Sequence, residues 1–191
     1  MLGIFLDTET NGLNARKHRV IELAYKIIDV QTGVLIEEFQ SIVLQSPEAW
    51  RESDPTSLQI NGFTWELVST GRSEGDIAEQ IIVSFKKHAI KRGNAVFICQ
   101  NPSFDRAFFS QLIDTDVQEK LGWPYHWLDL ASMYWAKSLA QKKPEHLPWI
   151  TGFSKDRIAA AYSLAPENKP HRAMNGVDHL ILCYRAVVGF A

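Results

Sequence analysis

Gly3-Ile4-Phe5-Leu6-Asp7-Thr8-Glu9 is an apolar run that ends in two acids, and its reading decides the fold. Residues 3–6 read as a buried central strand with the acids at its exit. Side chains alternate along an extended chain, so Asp7 and Glu9 share one face and Thr8 takes the other. Two carboxylates on one face of a buried strand repel each other and are costly to desolvate unless a cation lies between them. A hard divalent metal with oxygen ligands resolves that conflict. The bland alternative is a pair of acids in a solvated loop.

Outward from this strand, residues 20–30 and 34–43 read as two more strands. Gln31-Thr32-Gly33 joins them as a short hairpin turn, so the chain opens as an antiparallel meander. Pro47, Pro55, Gly62 and Gly71 punctuate a long connection. Ile77, Ile81, Ile82, Phe85 and Ala89 then form a helical stripe that Gly93 can close. Residues 95–99 read as a short buried strand, Asn101-Pro102-Ser103 opens a helix to about 113, and 127–129 form a last strand before a helix over 130–140. A helix over 154–162 follows. The last helix carries Val177, Leu180, Ile181, Tyr184, Val187 and Val188 on one face. This order implies an α/β domain, a mixed sheet of antiparallel then parallel strands with helices on both faces.

The 191 residues are enough for one globular domain with a real core. A formal net charge of −2 argues against a broad cationic face for duplex DNA, so any nucleic-acid contact should be local. Cys99 and Cys183 lie in apolar runs without C-x-x-C spacing and read as buried thiols of a reducing compartment. The opening residues lack the basic flank of a signal peptide, and no apolar run approaches the roughly 20 residues of a membrane span. A cytoplasmic protein without a membrane partner is expected.

A second acid motif, Asn101-Pro102-Ser103-Phe104-Asp105, again leaves an apolar strand and opens a helix. Alone, Asp105 is an ordinary first-turn acid favoured by the helix dipole. Together, D-T-E-T-N-G-L at 7–13 and Q-N-P-S-F-D at 100–105 resemble the DEDD exonucleases, whose motifs are usually D-x-E-T-T-G-L and often H-N-x-x-F-D. Val20-Ile21-Glu22-Leu23-Ala24, Ile60-Asn61-Gly62-Phe63-Thr64 and Trp127-Leu128-Asp129-Leu130 are similar to further family segments. His171-Arg172-Ala173-Met174 resembles the H-R-A-L start of the third motif in the DEDDh branch, which includes proofreading subunits, oligoribonuclease and ribonuclease T.

The resemblance implies a ribonuclease H-like fold and a 3′-to-5′ exonuclease releasing nucleoside 5′-monophosphates from single-stranded or frayed 3′ ends of DNA or RNA. It implies that Asp7, Glu9 and Asp105 bind two Mg²⁺ or Mn²⁺ ions and that His171 is the general base. Leu13 corresponds to the apolar residue set against the terminal base. Phe63 and Phe104 offer stacking area, and Thr8, Thr10, Asn61 and Asn101 complete the expected substrate contacts. A polymerase or a second copy of the chain is a conceivable partner. Gln100 and Asn61 stand where many members have histidine.

The family's fourth acid lies five residues after the histidine, where this chain has Gly176, and Asp178 is the nearest carboxylate. A last helix capped by Asn175 would place Asp178 in its first turn, free to face the cations, and Asp178 is expected as the fourth ligand. In a helix that starts earlier it would lie about 200° round the axis from Gly176, facing away. A nucleic-acid-binding module with weakened or absent catalysis is the competing reading. The basic clusters at 16–19 and 86–92 read as solvated faces.

Overall fold

The computed structural model describes residues 1–141 and 147–190. Its strands are β1 (Leu2–Thr10), β2 (Val20–Asp29), β3 (Leu35–Ile42), β4 (Ala95–Cys99) and β5 (Trp127–Asp129). They form one sheet in the order β3-β2-β1-β4-β5. β1 pairs antiparallel with β2 and parallel with β4, so the mixed sheet is as expected and β1 lies at its centre.

β1 continues through the acids instead of stopping at residue 6, because β2 stays paired with it as far as Glu9 opposite Glu22 and Thr10 opposite Val20. β4 pairs only with Leu2–Phe5 of β1 and leaves the far half of that edge open. The strand's alternation then sorts the core. Ile4 and Leu6 face one cluster, packed under α4 (Glu74–Lys87) and α5 (Pro102–Leu112). Phe5 faces the other, under α7 (Leu130–Gln141), α9 (Lys155–Ala161) and α10 (Ala173–Val187). All three side chains are fully buried, each contributing about 1.5–3 kcal/mol of transfer free energy.

The long connection holds three short helices, α1 (Pro47–Arg51), α2 (Pro55–Asn61) and α3 (Trp65–Val68). Its prolines start the first two of them, where a missing N–H costs nothing. α4 is capped by Ser73 and ends at His88, so Gly93 lies in a later turn and does not close the helix. Two short helices, α6 (Thr115–Lys120) and α8 (Pro148–Thr151), carried no periodic signal long enough to read. Both cysteines are free and buried. No helix among the described residues is long and apolar enough to cross a membrane.

Candidate functional site

The site lies where β1 outruns β4. Past Phe5 the β1 edge lacks a neighbouring strand, and α5 brings Asp105 across the gap. Thr8 donates both its backbone N–H (3.1 Å) and its hydroxyl (2.9 Å) to Asp105 Oδ1. Thr8 is therefore committed to holding Asp105, not open to a substrate. Asp7 takes the opposite face and meets α9 and α10, where its Oδ1 accepts a hydrogen bond from Lys155 Nζ at 2.9 Å.

Burial is the main reason the Asp105 carboxyl is held well above its ordinary pKa, with Asp7 adding to it. Asp7 is also raised by burial, partly offset by Lys155. Glu9 is pushed up to about 8, by burial first and then by Asp7. Three acids whose surroundings disfavour ionisation, Asp105 buried and Asp7 and Glu9 partly so, are the donor set a hard divalent cation would stabilise. In oxygen chemistry Asp7, Glu9 and Asp105 fit such an ion. Among the described residues, however, no group of three or more His, Cys, Asp or Glu side chains is drawn together as a ready-made metal site. Lys155 and Thr8 already engage Asp7 and Asp105.

Asp178 is not brought to these carboxylates. α10 begins at Ala173, not at Asn175, because the buried Glu22 carboxylate reaches across from β2 and accepts the Ala173 N–H at 2.8 Å. With the helix already running at 176, Asp178 falls on the outer side, where it is largely exposed and pairs with Lys26 at 2.5 Å. Gly176 holds the inward position, directly against Asp7.

Asn61 and Phe63 also have other tasks. Asn61 is buried; its side-chain amide donates to the Thr10 carbonyl, and its own carbonyl accepts from Arg172 at 2.8 Å. Phe63 is buried under the Arg172 guanidinium, 4.1 Å from the ring centre. Neither offers a surface to a base; both anchor the H-R-A-M segment. The buried Thr10 hydroxyl donates to the Gly12 carbonyl and shapes the next turn.

That turn presents Leu13. The His18 ring packs so closely on Gly12 that a Cβ there would lie 2.4 Å from it, and the Asn11 side chain accepts the Arg19 N–H at 2.6 Å. Leu13 is held on this ordered loop at 75% exposure. It shares an open groove of about 590 Å³ with Arg16, Asn101 and Phe104, a volume in the range of small-ligand sites. Phe104 is half-buried against Phe108, so one side of its ring remains for the groove.

Asn101 enters α5 in a left-handed conformation, held by its N–H to Asp129 Oδ1 at 3.1 Å. Asp129 also accepts from the Ala131 and Ser132 N–H groups, capping α7. Asp129→Ala is expected to lower stability by about 1–2 kcal/mol in urea denaturation, the scale of a lost N-cap. An unchanged midpoint would show that the cap is dispensable. The basic residues at 86–92 lie elsewhere, with Lys87 and His88 on Glu37 and Arg92 on Glu119.

His171 is partly exposed, with Nδ1 3.4 Å from Glu167 Oε1. Glu167 is almost fully buried and also bonds Lys155 at 3.1 Å. Burial opposes its charge, but His179 and Lys155 outweigh that and hold it at about 2. Burial likewise works against the Lys155 ammonium, yet Asp7 and Glu167 keep its pKa above the ordinary lysine value. Lys155, Glu167 and Glu22 are site residues that the sequence did not single out. One is a first-turn lysine, one a residue in a Pro-rich loop and one a strand acid, and no local pattern marks any of them.

A model of the RNase_T exonuclease family matches residues 4–180. The chain belongs to this exonuclease family. Among its relatives, a PolC-type DNA polymerase III of Thermotoga petrophila is 24% identical over 90% of this chain and 11% of its own length. An oligoribonuclease of Legionella pneumophila is 27% identical over 57% of this chain and 62% of its own. A ribonuclease T of Actinobacillus pleuropneumoniae is 28% identical over 56% of this chain and 51% of its own. The zinc-bound E. coli ExoI–ssDNA complex superposes with a TM-score of 0.74 at 19% identity, covering 97% of this chain and 40% of that one. The ribonuclease H-like exonuclease fold is thus shared, while this chain spans less than two thirds of each of these proteins.

Proposed function

We propose that this chain is a metal-dependent 3′-to-5′ exonuclease that releases nucleoside 5′-monophosphates from single-stranded or frayed ends of DNA or RNA. The observation that carries the reading is the position of Asp7 at the open end of β1, where its charge bears on Glu9 and Asp105 and His171 bears on it, with the Leu13 groove reaching Asn101 and Phe104 on the Asp105 side. Bound Mg²⁺ or Mn²⁺ would activate the attacking water and stabilise the leaving 3′ oxygen. His171, whose Nδ1 lies 3.4 Å from Glu167 Oε1, would accept the proton from that water. Leu13 and Phe104 receive the unstacked terminal base, and Arg16 meets the phosphates.

One observation favours the second reading, a nucleic-acid-binding module without catalysis: the Lys155 ammonium already lies on Asp7. Digestion of 3′- and 5′-end-labelled single-stranded DNA and RNA with Mg²⁺, Mn²⁺ or chelator decides between them. Mononucleotides released from the 3′ end only in the presence of metal support the exonuclease; binding without release supports the module. The DNA and RNA arms identify the substrate. Leu13→Ala is expected to lower kcat/KM on single strands about tenfold, the scale of one lost base contact. It should leave thermal stability unchanged, because the side chain packs little. Undiminished kcat/KM would remove Leu13 from the substrate path.

A further inference from the structure

Lys155 Nζ lies 2.9 Å from Asp7 Oδ1, 3.1 Å from Glu167 Oε2 and 3.3 Å from the Gly176 carbonyl oxygen. Three oxygens from three parts of the chain, two of them anionic, surround one buried positive charge as they would surround a bound cation. We propose that the Lys155 ammonium is a resident cation of this site, standing in for one of the two divalent ions expected there, so that the chain binds a single divalent ion. The inference rests on the exonuclease reading above.

Gly176 makes the argument specific. A Cβ at that position would lie 2.1 Å from Asp7 Oδ2 and 2.9 Å from Lys155 Nζ. The Asp7–Lys155 pair therefore fills the space that a fourth carboxylate at residue 176 would need. The missing acid has a counterpart in Glu167, whose buried side chain reaches the same ammonium from the loop before α10. Removal of a carboxylate at 176, a lysine at 155 and an acid at 167 form one consistent arrangement. A divalent ion seated on Asp7 Oδ1 would meet a like charge at contact distance, in a setting where water screens it poorly. The remaining carboxylates, Glu9 and Asp105, with the free oxygen of Asp7, are left for one ion.

Mn²⁺ titration of the full chain, with free Mn²⁺ read by electron paramagnetic resonance, tests this without reference to activity. One Mn²⁺ per chain is expected for the wild type and two for Lys155→Met/Gly176→Asp, whose second ion should add a spin-coupled signal. If the double variant does not fold, Lys155→Gln carries the test, since loss of the ammonium should open a second, weaker site. Zero or two ions in the wild type, or one ion in a folded variant, overturns the proposal. A wild type that binds two ions and releases nucleotides refutes only the lysine role. One that binds a single ion and releases nothing refutes only the exonuclease.

Discussion

Glu9→Gln is expected to lower nucleotide release by about 10²–10³-fold or more, the cost of losing one group that stabilises the transition state, while making the metal-free protein more stable. The two effects have one cause. Burial and Asp7 push the Glu9 carboxyl up to about 8, so the folded chain holds this proton more tightly than the unfolded chain does. Between about pH 5 and pH 8 the unfolded state therefore binds fewer protons, and stability falls as pH rises through that window. A shift of this size corresponds to a few kcal/mol, at about 1.4 kcal/mol per pKa unit. Glutamine cannot ionise, so the variant should match wild type near pH 5 and exceed it near pH 8. Thermal melts in chelator across that range, paired with release assays in Mg²⁺, measure both. A wild type that grows more stable from pH 5 to pH 8 would contradict the burial argument. Full activity in the variant would take Glu9 out of the reaction.

Gly176→Ala is expected to destabilise the protein by about 2–4 kcal/mol, against the usual rule for helices. In an ordinary helix interior this change stabilises by about 1 kcal/mol. Here the new Cβ would lie 2.1 Å from Asp7 Oδ2 and 2.6 Å from Asp7 Cγ, so Asp7 must withdraw from Lys155. Both partners of that pair are largely buried, and separating a buried ion pair costs about 3–5 kcal/mol. The second effect wins. Urea denaturation at neutral pH reads the difference, and a gain of stability would show that Asp7 and Lys155 are not held against each other.

The elements that position this site were largely legible in the chain because their causes are local. The apolar run over Gly3–Leu6 and the apolar-rich β2 need only near neighbours to declare a strand, as does the 3.6-residue stripe through Ile77, Ile81 and Phe85 to declare a helix. The acids announced themselves for the same reason, as charges out of place beside apolar runs. Element ends were less legible. β1 runs on through Glu9 only because β2 accompanies it, and α10 starts at Ala173 only because Glu22, more than a hundred residues earlier, accepts its first N–H.

Tertiary structure alone decided which polar groups meet. Asp178 and Gly176 are two residues apart, yet the helix rotation set by Glu22 turns the acid to solvent and the glycine to Asp7. Phe63 and Asn61 read as substrate contacts in sequence, but Arg172 lies on the one and bonds to the other. Lys155 and Glu167 carried no signal at all, since a lysine in a first helical turn and a glutamate in a loop are ordinary surface residues in sequence. Local pattern thus determined that this chain builds a central strand bearing acids. Contacts across the fold determined that the Lys155 ammonium lies against one of them.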